Sequence, residues 1–232
     1  NPNSWCQSGS TIYVRTFDSR VPDAYLYYTV SSDNSLISID TNRTIYLENI
    51  TFAGGIYWYA SATLSAKLYC KNVTVWGAVF ANGQAEVIMQ DVNVYPISPS
   101  GDSLNYSPVG TGGSITNVAE INVKASNLST GSTDQCSTAH LGVSIVRVNC
   151  EYGDAGGQNV ADVSGCLSWN LGVKCSKSKS EISFYNGGTM WLEGCVSSGN
   201  NTDISTESSS TTYVKDLTTD GTHAGAGTVT PY

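Results

Sequence analysis

The chain has 232 residues, and its 40% hydrophobic content is enough for one domain with a substantial core. Only 13% of the residues are charged, which excludes a solvated coiled coil and a charge-driven disordered chain. The net charge of -8, from 11 Lys and Arg against 19 Asp and Glu, argues against nucleic-acid recognition, and we expect neither a membrane helix nor a signal peptide.

Residues 1–43 contain two strand-like runs, STIYVRTF and AYLYYTV, separated by the turn-rich segment DSRVPD. An open stack of strands needs protection at its end. We therefore predict that this segment is a first coil or a cap. We expect residues 220–232 to be a loose C-terminus.

Between these ends, similar nine-residue segments recur at irregular intervals that centre on the low twenties. They begin at residues 44, 67, 86, 120, 144, 160, 189 and 211. One position of the alignment is almost always Asn, Asp or Gly, the residues that tolerate a left-handed backbone. This position is occupied by Asn49, Asn72, Asp91, Ala125, Asn149, Gly165, Gly194 and Asp216. The chain should therefore bend at the same place in every repeat, with the Asn side chains stacked as a ladder.

A strand, a tight bend and another strand, repeated and stacked, are typical of a parallel β-helix. We predict an all-β fold in which residues 1–232 form one domain, with the repeat coils at residues 44–219. The number of repeats predicts about eight or nine coils.

The chain has seven cysteines, and Cys150, Cys166 and Cys195 fall in one column of the alignment, beside Val73 and Val92. We expect them to form a ladder of buried thiols inside the coil. A disulfide between adjacent coils is the alternative.

Arg147 occupies a position where other repeats place Leu47, Met89 or Leu192. Burial of an unpaired guanidinium is costly. We therefore expect the register to slip here so that Val146 points inward, and the alternative is that Arg147 lies at an opening.

Polar loops at residues 98–113, 130–140 and 151–162 follow successive repeats on the same side, so we expect them to form one patch. Carboxyl pairs cleave glycosidic bonds, tyrosine rings contact sugars, and a histidine or tyrosine can act as the base of a lyase. The candidate catalytic residues are Asp102, Asp134, Asp154 and His140. The candidate substrate-binding residues are Asn105, Tyr106, Gln135, Arg147, Glu151, Tyr152 and Asp162, of which Arg147 would neutralise a uronate carboxylate. The alternative is a set of solvated loop residues that form Asx turns.

No second His or Cys lies at metal-ligand spacing from His140, so we expect no metal and no cofactor. Aromatic residues could form a stripe along one flank, either packed between coils or subunits or exposed as a saccharide groove. These are Trp58, Trp76, Trp169 and Trp191 with Tyr46, Tyr57, Tyr59 and Tyr95.

The repeats, together with GDSLNY at 101–106, STAHLGVSIVRVNCEYGD at 137–154 and NVADVSGCLSWNLGVKC at 159–175, resemble a known fold family. They are similar to right-handed parallel β-helix domains of the pectate-lyase-like superfamily, and most of all to bacteriophage tailspike and receptor-binding proteins. The resemblance covers residues 40–220. The paired-Asp and Gly-His-Gly signatures of polygalacturonases are absent.

The resemblance implies a homotrimer on a virion tail, outside the cell, that binds bacterial surface polysaccharide and cleaves it by hydrolysis or elimination. It also implies acidic catalysts on loops or in a groove, and Asp102, Asp134 and Asp154 match that description by loop position. Two alternatives stay open: a non-catalytic host-recognition fibre or adhesin segment, and a cellular polysaccharide lyase or sugar epimerase.

Overall fold

The computed structural model describes residues 4–8, 11–15, 27–28, 44–52, 54–59, 66–95, 101–108, 116–127 and 131–232. Before residue 44, and at Tyr59, it describes the backbone alone. Every regular element in these ranges is a β-strand. None of the described residues belongs to a helix that could span a membrane.

The described residues form the following strands, given in chain order. They are β1 (Ser4–Ser8), β2 (Thr11–Arg15), β3 (Tyr27–Tyr28), β4 (Thr44–Phe52), β5 (Ile56–Tyr59), β6 (Lys67–Val75), β7 (Val79–Asn82), β8 (Glu86–Val94), β9 (Leu104–Ser107), β10 (Asn117–Ile121), β11 (Lys124–Ser126), β12 (Ser137–Ala139), β13 (Ser144–Val148), β14 (Glu151–Gly153), β15 (Val160–Asp162), β16 (Leu167–Leu171), β17 (Lys174–Ser176), β18 (Ile182–Asn186), β19 (Thr189–Glu193), β20 (Val196–Ser198), β21 (Thr202–Thr206), β22 (Thr211–Lys215), β23 (Thr222–Gly225) and β24 (Thr228–Pro231).

The chain winds into a parallel β-solenoid of about seven turns, which confirms the predicted fold class and comes close to the predicted number of coils. Each turn contributes strands to three faces. The A face contains the first halves of β4, β6 and β8, followed by β10, β13, β16, β19, β22 and β24. The B face contains the second halves of the same three strands, followed by β11, β14, β17 and β20. The C face contains β5, β7, β9, β12, β15, β18, β21 and β23.

The bend between the A and B faces is left-handed in every described coil, as predicted. The residues at this bend with positive φ are Asn49, Asn72, Asp91, Asn122, Asn149, Gly172, Gly194 and Asp216. Side-chain amides join successive bends, for example Asn72 Nδ2 to Asn49 Oδ1 at 2.7 Å. The predicted positions Ala125 and Gly165 were wrong, because the bends of those two coils lie at Asn122 and Gly172.

The misplaced bend at Gly165 has a physical cause in β16, where the usual alternation is inverted. Ser168 and Asn170 point into the coil and are fully buried. Leu167, Trp169 and Leu171 point outward and are 40%, 36% and 36% exposed. Because a strand's hydrophobic residues normally mark its inner face, a search for apolar periodicity places this strand in the wrong register.

The cysteine column also needs correction. Cys150 and Cys195 occupy equivalent positions two coils apart, with Val173 between them, whereas Cys166 lies before the A-face strand of its coil. All six cysteines with described side chains are buried and unpaired, as the prediction of buried thiols required. Burial raises the pKa of the Cys70 thiol to about 12.

The two ends differ from each other. Residues 220–232, expected to be loose, contain β23 and β24, which extend the C and A faces by parallel pairing. At the other end, β1 and β2 pair in antiparallel fashion, and β3 pairs in parallel with β4. The rest of residues 1–43, for which a first coil or cap was predicted, lies outside the described residues.

Asn72→Ala should lower the free energy of unfolding by about 1–2 kcal/mol, because Asn72 has a φ of 51° and alanine is strained in the left-handed region. Asn72→Gly keeps that conformation accessible and should change stability less. Urea unfolding of the two variants beside the unmodified chain provides the measurement. Equal losses for alanine and glycine would show that the left-handed backbone does not set the preference at this position.

Candidate functional site

The structure divides the predicted loop patch among three places. One group lies outside the C face, a second lies inside the coil, and a third lies on or beside the B face. The outer C-face group contains Asp102, Asn105, Asp134, Gln135 and His140.

The C-face cluster is held by β9 and β12, which are neighbours in the stack. Asn105 donates from Nδ2 to Asp102 Oδ2 at 2.6 Å, and the same nitrogen lies 3.2 Å from His140 Nε2. The backbone N–H of Gln135 donates to Asp102 Oδ1 at 2.8 Å. If Asn105 donates to both groups, His140 Nε2 is an acceptor and the ring proton lies on Nδ1. A carboxyl, an amide and an imidazole thus form one hydrogen-bonded chain.

Burial shapes the electrostatics of this cluster. It raises the pKa of Asp102 to about 6, and the nearby Asp134 carboxylate acts in the same direction. Burial also lowers the pKa of His140, so its imidazole is neutral at pH 7. A carboxyl that can carry a proton near pH 6 beside a neutral imidazole is suited to acid–base chemistry.

Asp134 lies near the hydrogen-bonded chain of Asp102, Asn105 and His140, but a separate contact fixes its position. Its backbone carbonyl accepts a hydrogen bond of 2.8 Å from Gly157, which fixes the turn against the next coil. The Gln135 side chain donates from Nε2 to Gln158 Oε1 at 2.7 Å. The Asp134 carboxylate is near enough to raise the pKa of Asp102, so two of the predicted catalytic carboxyls lie in the same region of the C face.

Arg147 lies inside the coil and has no exposed surface. The predicted register slip was wrong, because β13 pairs with β10 and β16 without interruption. The guanidinium donates to both oxygens of Asp162 at 2.8 and 2.9 Å and to Asn170 Oδ1 at 3.3 Å. Glu120 Oε2 lies 3.8 Å from Arg147 Nε. The cost of burial is thus offset by a complete set of partners, a possibility that the sequence argument did not include.

Two predicted tyrosines belong to the same interior network. Tyr152 donates its hydroxyl to Glu120, and Tyr106 points into the coil toward that carboxylate. Burial raises the pKa of both phenols, and the Glu120 carboxylate acts in the same direction. Ser137 donates to Glu120 Oε1 at 2.9 Å and accepts from Arg147 Nε at 3.0 Å. Tyr106, Arg147, Tyr152 and Asp162 therefore stabilise the coil from within and do not reach a ligand on its surface.

Glu151 and Asp154 lie at the B face. Glu151 points outward between Lys124 at 2.9 Å and Lys174 at 3.7 Å. Both lysines lower the pKa of its carboxyl, which makes it a poor proton donor near neutral pH. Asp154 is exposed in the turn that follows β14, with a φ of 55°. It follows a B-face strand, whereas Asp102, Asn105 and His140 belong to the C-face cluster.

A shallow depression of about 490 Å³ runs along the B face beside Glu151. Its walls include Lys124, Ser126, Lys174 and Ser176, none of which was predicted. A signal for them exists, because the chain contains Val-Lys-Ala-Ser at 123–126 and Val-Lys-Cys-Ser at 173–176. With the correct register these two motifs occupy equivalent positions, two coils apart.

The aromatic residues do not form a single stripe. Trp58 is buried, Trp76 lies against Tyr95, Tyr57 stacks on Phe80, and Tyr46 is exposed. Trp169 and Trp191 stack on the A face with centroids 4.9 Å apart, and Trp191 stacks on Tyr213 at 5.4 Å. Around this stack lies an apolar A-face patch that consists of Ile121, Val146, Val148, Leu167, Trp169, Leu171, Trp191 and Tyr213.

Comparison of the chain with protein-family models, with curated proteins and with solved structures gave no match.

Proposed function

We propose that this protein binds bacterial surface polysaccharide and cleaves it, in the manner of a bacteriophage tailspike. The hydrogen-bonded chain of Asp102, Asn105 and His140 on the outer C face carries this proposal. In its protonated form Asp102 is the general acid that donates to the glycosidic oxygen. As the glycosidic C–O bond breaks, Asp134 stabilises the positive charge that develops on the sugar ring, and a water molecule adds to the anomeric carbon to give a new reducing end.

The support for Asp102 comes from its pKa and its surroundings. A pKa of about 6 leaves a substantial protonated fraction in mildly acidic solution. Asn105 and His140 are only partly buried and Asp102 keeps 6% of its surface exposed, so a polymer on the C face can reach all three side chains. Asn105 also orients the carboxyl, since it donates to Asp102 Oδ2 at 2.6 Å.

The A-face patch supports a homotrimer. Strand β16 exposes three apolar residues, Leu167, Trp169 and Leu171, while its inward positions are polar. This is the reverse of the arrangement that the hydrophobic effect favours in an isolated chain. Contiguous exposed apolar patches of this kind mark protein contacts. Side-by-side packing of three A faces would remove the patch from water.

The cysteines support assembly in a cell before release. Six buried thiols are unpaired in the described residues. Disulfides form in oxidising compartments, so a chain with this many free thiols is suited to folding in a reducing one. A phage protein folds in the reducing cytoplasm of its host, where its thiols stay unpaired. It is exposed outside the cell only later, on the virion tail.

Incubation of the protein with a panel of capsular and O-antigen polysaccharides tests the proposal. We expect new reducing ends from one or a few of these polymers. Ultraviolet absorbance of a new C=C bond in the product would assign elimination, with His140 as the base, and its absence would assign hydrolysis. No cleavage of any polymer that the protein binds would overturn the enzymatic part.

The second candidate is a non-catalytic host-recognition fibre or adhesin. The stack of exposed Trp169 on half-buried Trp191 favours it, because aromatic surfaces bind partners without any reacting group. Retained binding of a polysaccharide without cleavage, and loss of that binding in Trp169→Ala, would select this candidate. Cleavage by the unmodified chain would exclude it.

A further inference from the structure

Two parallel rows of outward-facing residues form the B-face depression. One row consists of the first residues of the B-face strands, and the other consists of their third residues. The first row contains Lys124, Glu151 and Lys174, in register on β11, β14 and β17. Their side chains are 55%, 44% and 63% exposed. Strands in such a stack lie about 4.8 Å apart, so the two lysines are about 9.6 Å apart along the solenoid axis.

The second row has small side chains, namely Ser126, Gly153, Ser176 and Ser198. They leave an open trough beside the charged row. At Gly153 a Cβ atom would lie 3.1 Å from Ser176 Oγ, so even alanine would narrow the trough. The hydroxyls along this row can donate to and accept from sugar hydroxyls.

Tyr95 closes the N-terminal end of the trough. It follows β8, lies against Trp76 with ring centroids 5.4 Å apart, and is the only aromatic ring among the residues that line the described depression and point outward. An aromatic ring at the end of a hydroxyl-lined trough presents an apolar surface to sugar C–H groups.

The trough differs in charge from the rest of the protein. The chain has a net charge of -8, whereas Lys124, Glu151 and Lys174 together carry +1 at neutral pH. Lys124 is the tighter partner of Glu151, at 2.9 Å. Lys174 is 3.7 Å from Glu151, beyond hydrogen-bond distance, so its N–H donors can turn to a ligand.

We propose that this trough binds an anionic glycan, with a sugar carboxylate on Lys174, sugar hydroxyls on Glu151 and the serine row, and a sugar ring against Tyr95. This inference rests on the proposed function, because it names the substrate class that the same solenoid holds. The trough lies on a different face from Asp102, so it anchors the polymer away from the reacting bond.

Binding of the full chain to hyaluronan oligosaccharides tests the inference, with the same oligosaccharides after carboxyl reduction as the matched control. We expect the charged form to bind about fivefold more tightly, the effect of one exposed ion pair. This preference should weaken as salt is added. Polyglutamate of equal charge should bind more weakly, because it lacks sugar hydroxyls.

Three variants sharpen the test. Lys174→Gln should remove the fivefold preference, whereas Glu151→Gln should strengthen binding of the charged form because it removes a competing carboxylate. Lys71→Gln, in an exposed ion pair of 3.4 Å with Glu48 on the A face, makes the same change of charge and should leave binding unaltered. Circular dichroism checks that each variant retains its strands.

The outcomes separate this inference from the proposed function. Equal binding of the charged and carboxyl-reduced oligosaccharides, or an equal effect of Lys71→Gln and Lys174→Gln, would overturn the trough assignment. Polyglutamate or DNA binding as tight as hyaluronan would overturn it as well. In each of these cases cleavage of a polysaccharide at Asp102 would still stand, whereas failure to bind or cleave any polysaccharide would remove both.

Discussion

Arg147→Ala should lower the free energy of unfolding by about 3–5 kcal/mol. The guanidinium is fully buried and makes two hydrogen bonds to Asp162, one to Ser137 and one to Asn170. Its removal leaves the buried carboxylates of Asp162 and Glu120 without their cation, in an interior that water does not reach. Urea or thermal unfolding followed by circular dichroism measures the loss.

Two further variants test whether the loss of stability comes from the interior charge network. Lys215→Ala removes an exposed ion pair with Glu193 at 2.6 Å and should cost less than about 1 kcal/mol. The triple variant Glu120→Leu, Arg147→Met and Asp162→Leu removes all three charges and should recover part of the stability, because Ser137, Tyr152 and Asn170 lose partners in it. A loss in Arg147→Ala as small as that in Lys215→Ala would mean that the interior network contributes little.

Asp102→Asn should reduce polysaccharide cleavage by about 100-fold to 10,000-fold, the usual contribution of a general acid. The carboxyl is protonated below its pKa of about 6, so activity of the unmodified chain should fall as pH rises above 6. His140 acts as a neutral group, and burial lowers its pKa, so activity should persist below its ordinary pKa of about 6.5. The rate measured against pH should therefore be greatest in mildly acidic solution.

Stability distinguishes a catalytic role for Asp102 from a structural one. Its pKa is raised in the folded chain, so the protonated group stabilises the fold below its unfolded pKa of 3.8, and this contribution is lost as pH rises through 6. Asp102→Asn should therefore be at least as stable as the unmodified chain at pH 8 while cleavage is lost. Unchanged cleavage in both Asp102→Asn and Asp134→Asn would remove these carboxyls from the mechanism.

The sequence by itself determined the solenoid and the position of most bends. Asn49, Asn72, Asn149 and Gly194 mark left-handed bends because few other residues adopt that conformation without strain. The sequence also predicted that Asp102 and His140 lie in one group, because loops from successive coils must stack. These features depend on local backbone preference and on the repeat, both of which can be read along a chain.

Only the tertiary structure decided which side chains face the interior. Strand alternation has a period of two residues, and it says which residues share a face without saying which face is buried. Apolar character normally resolves that choice, but Arg147 and Asn170 are inside because partners from other strands of the solenoid satisfy their hydrogen bonds, while Trp169 is outside. Those partners come from strands separated in sequence, so the interior network and the charged row of Lys124, Glu151 and Lys174 exist only once the coils are stacked in register.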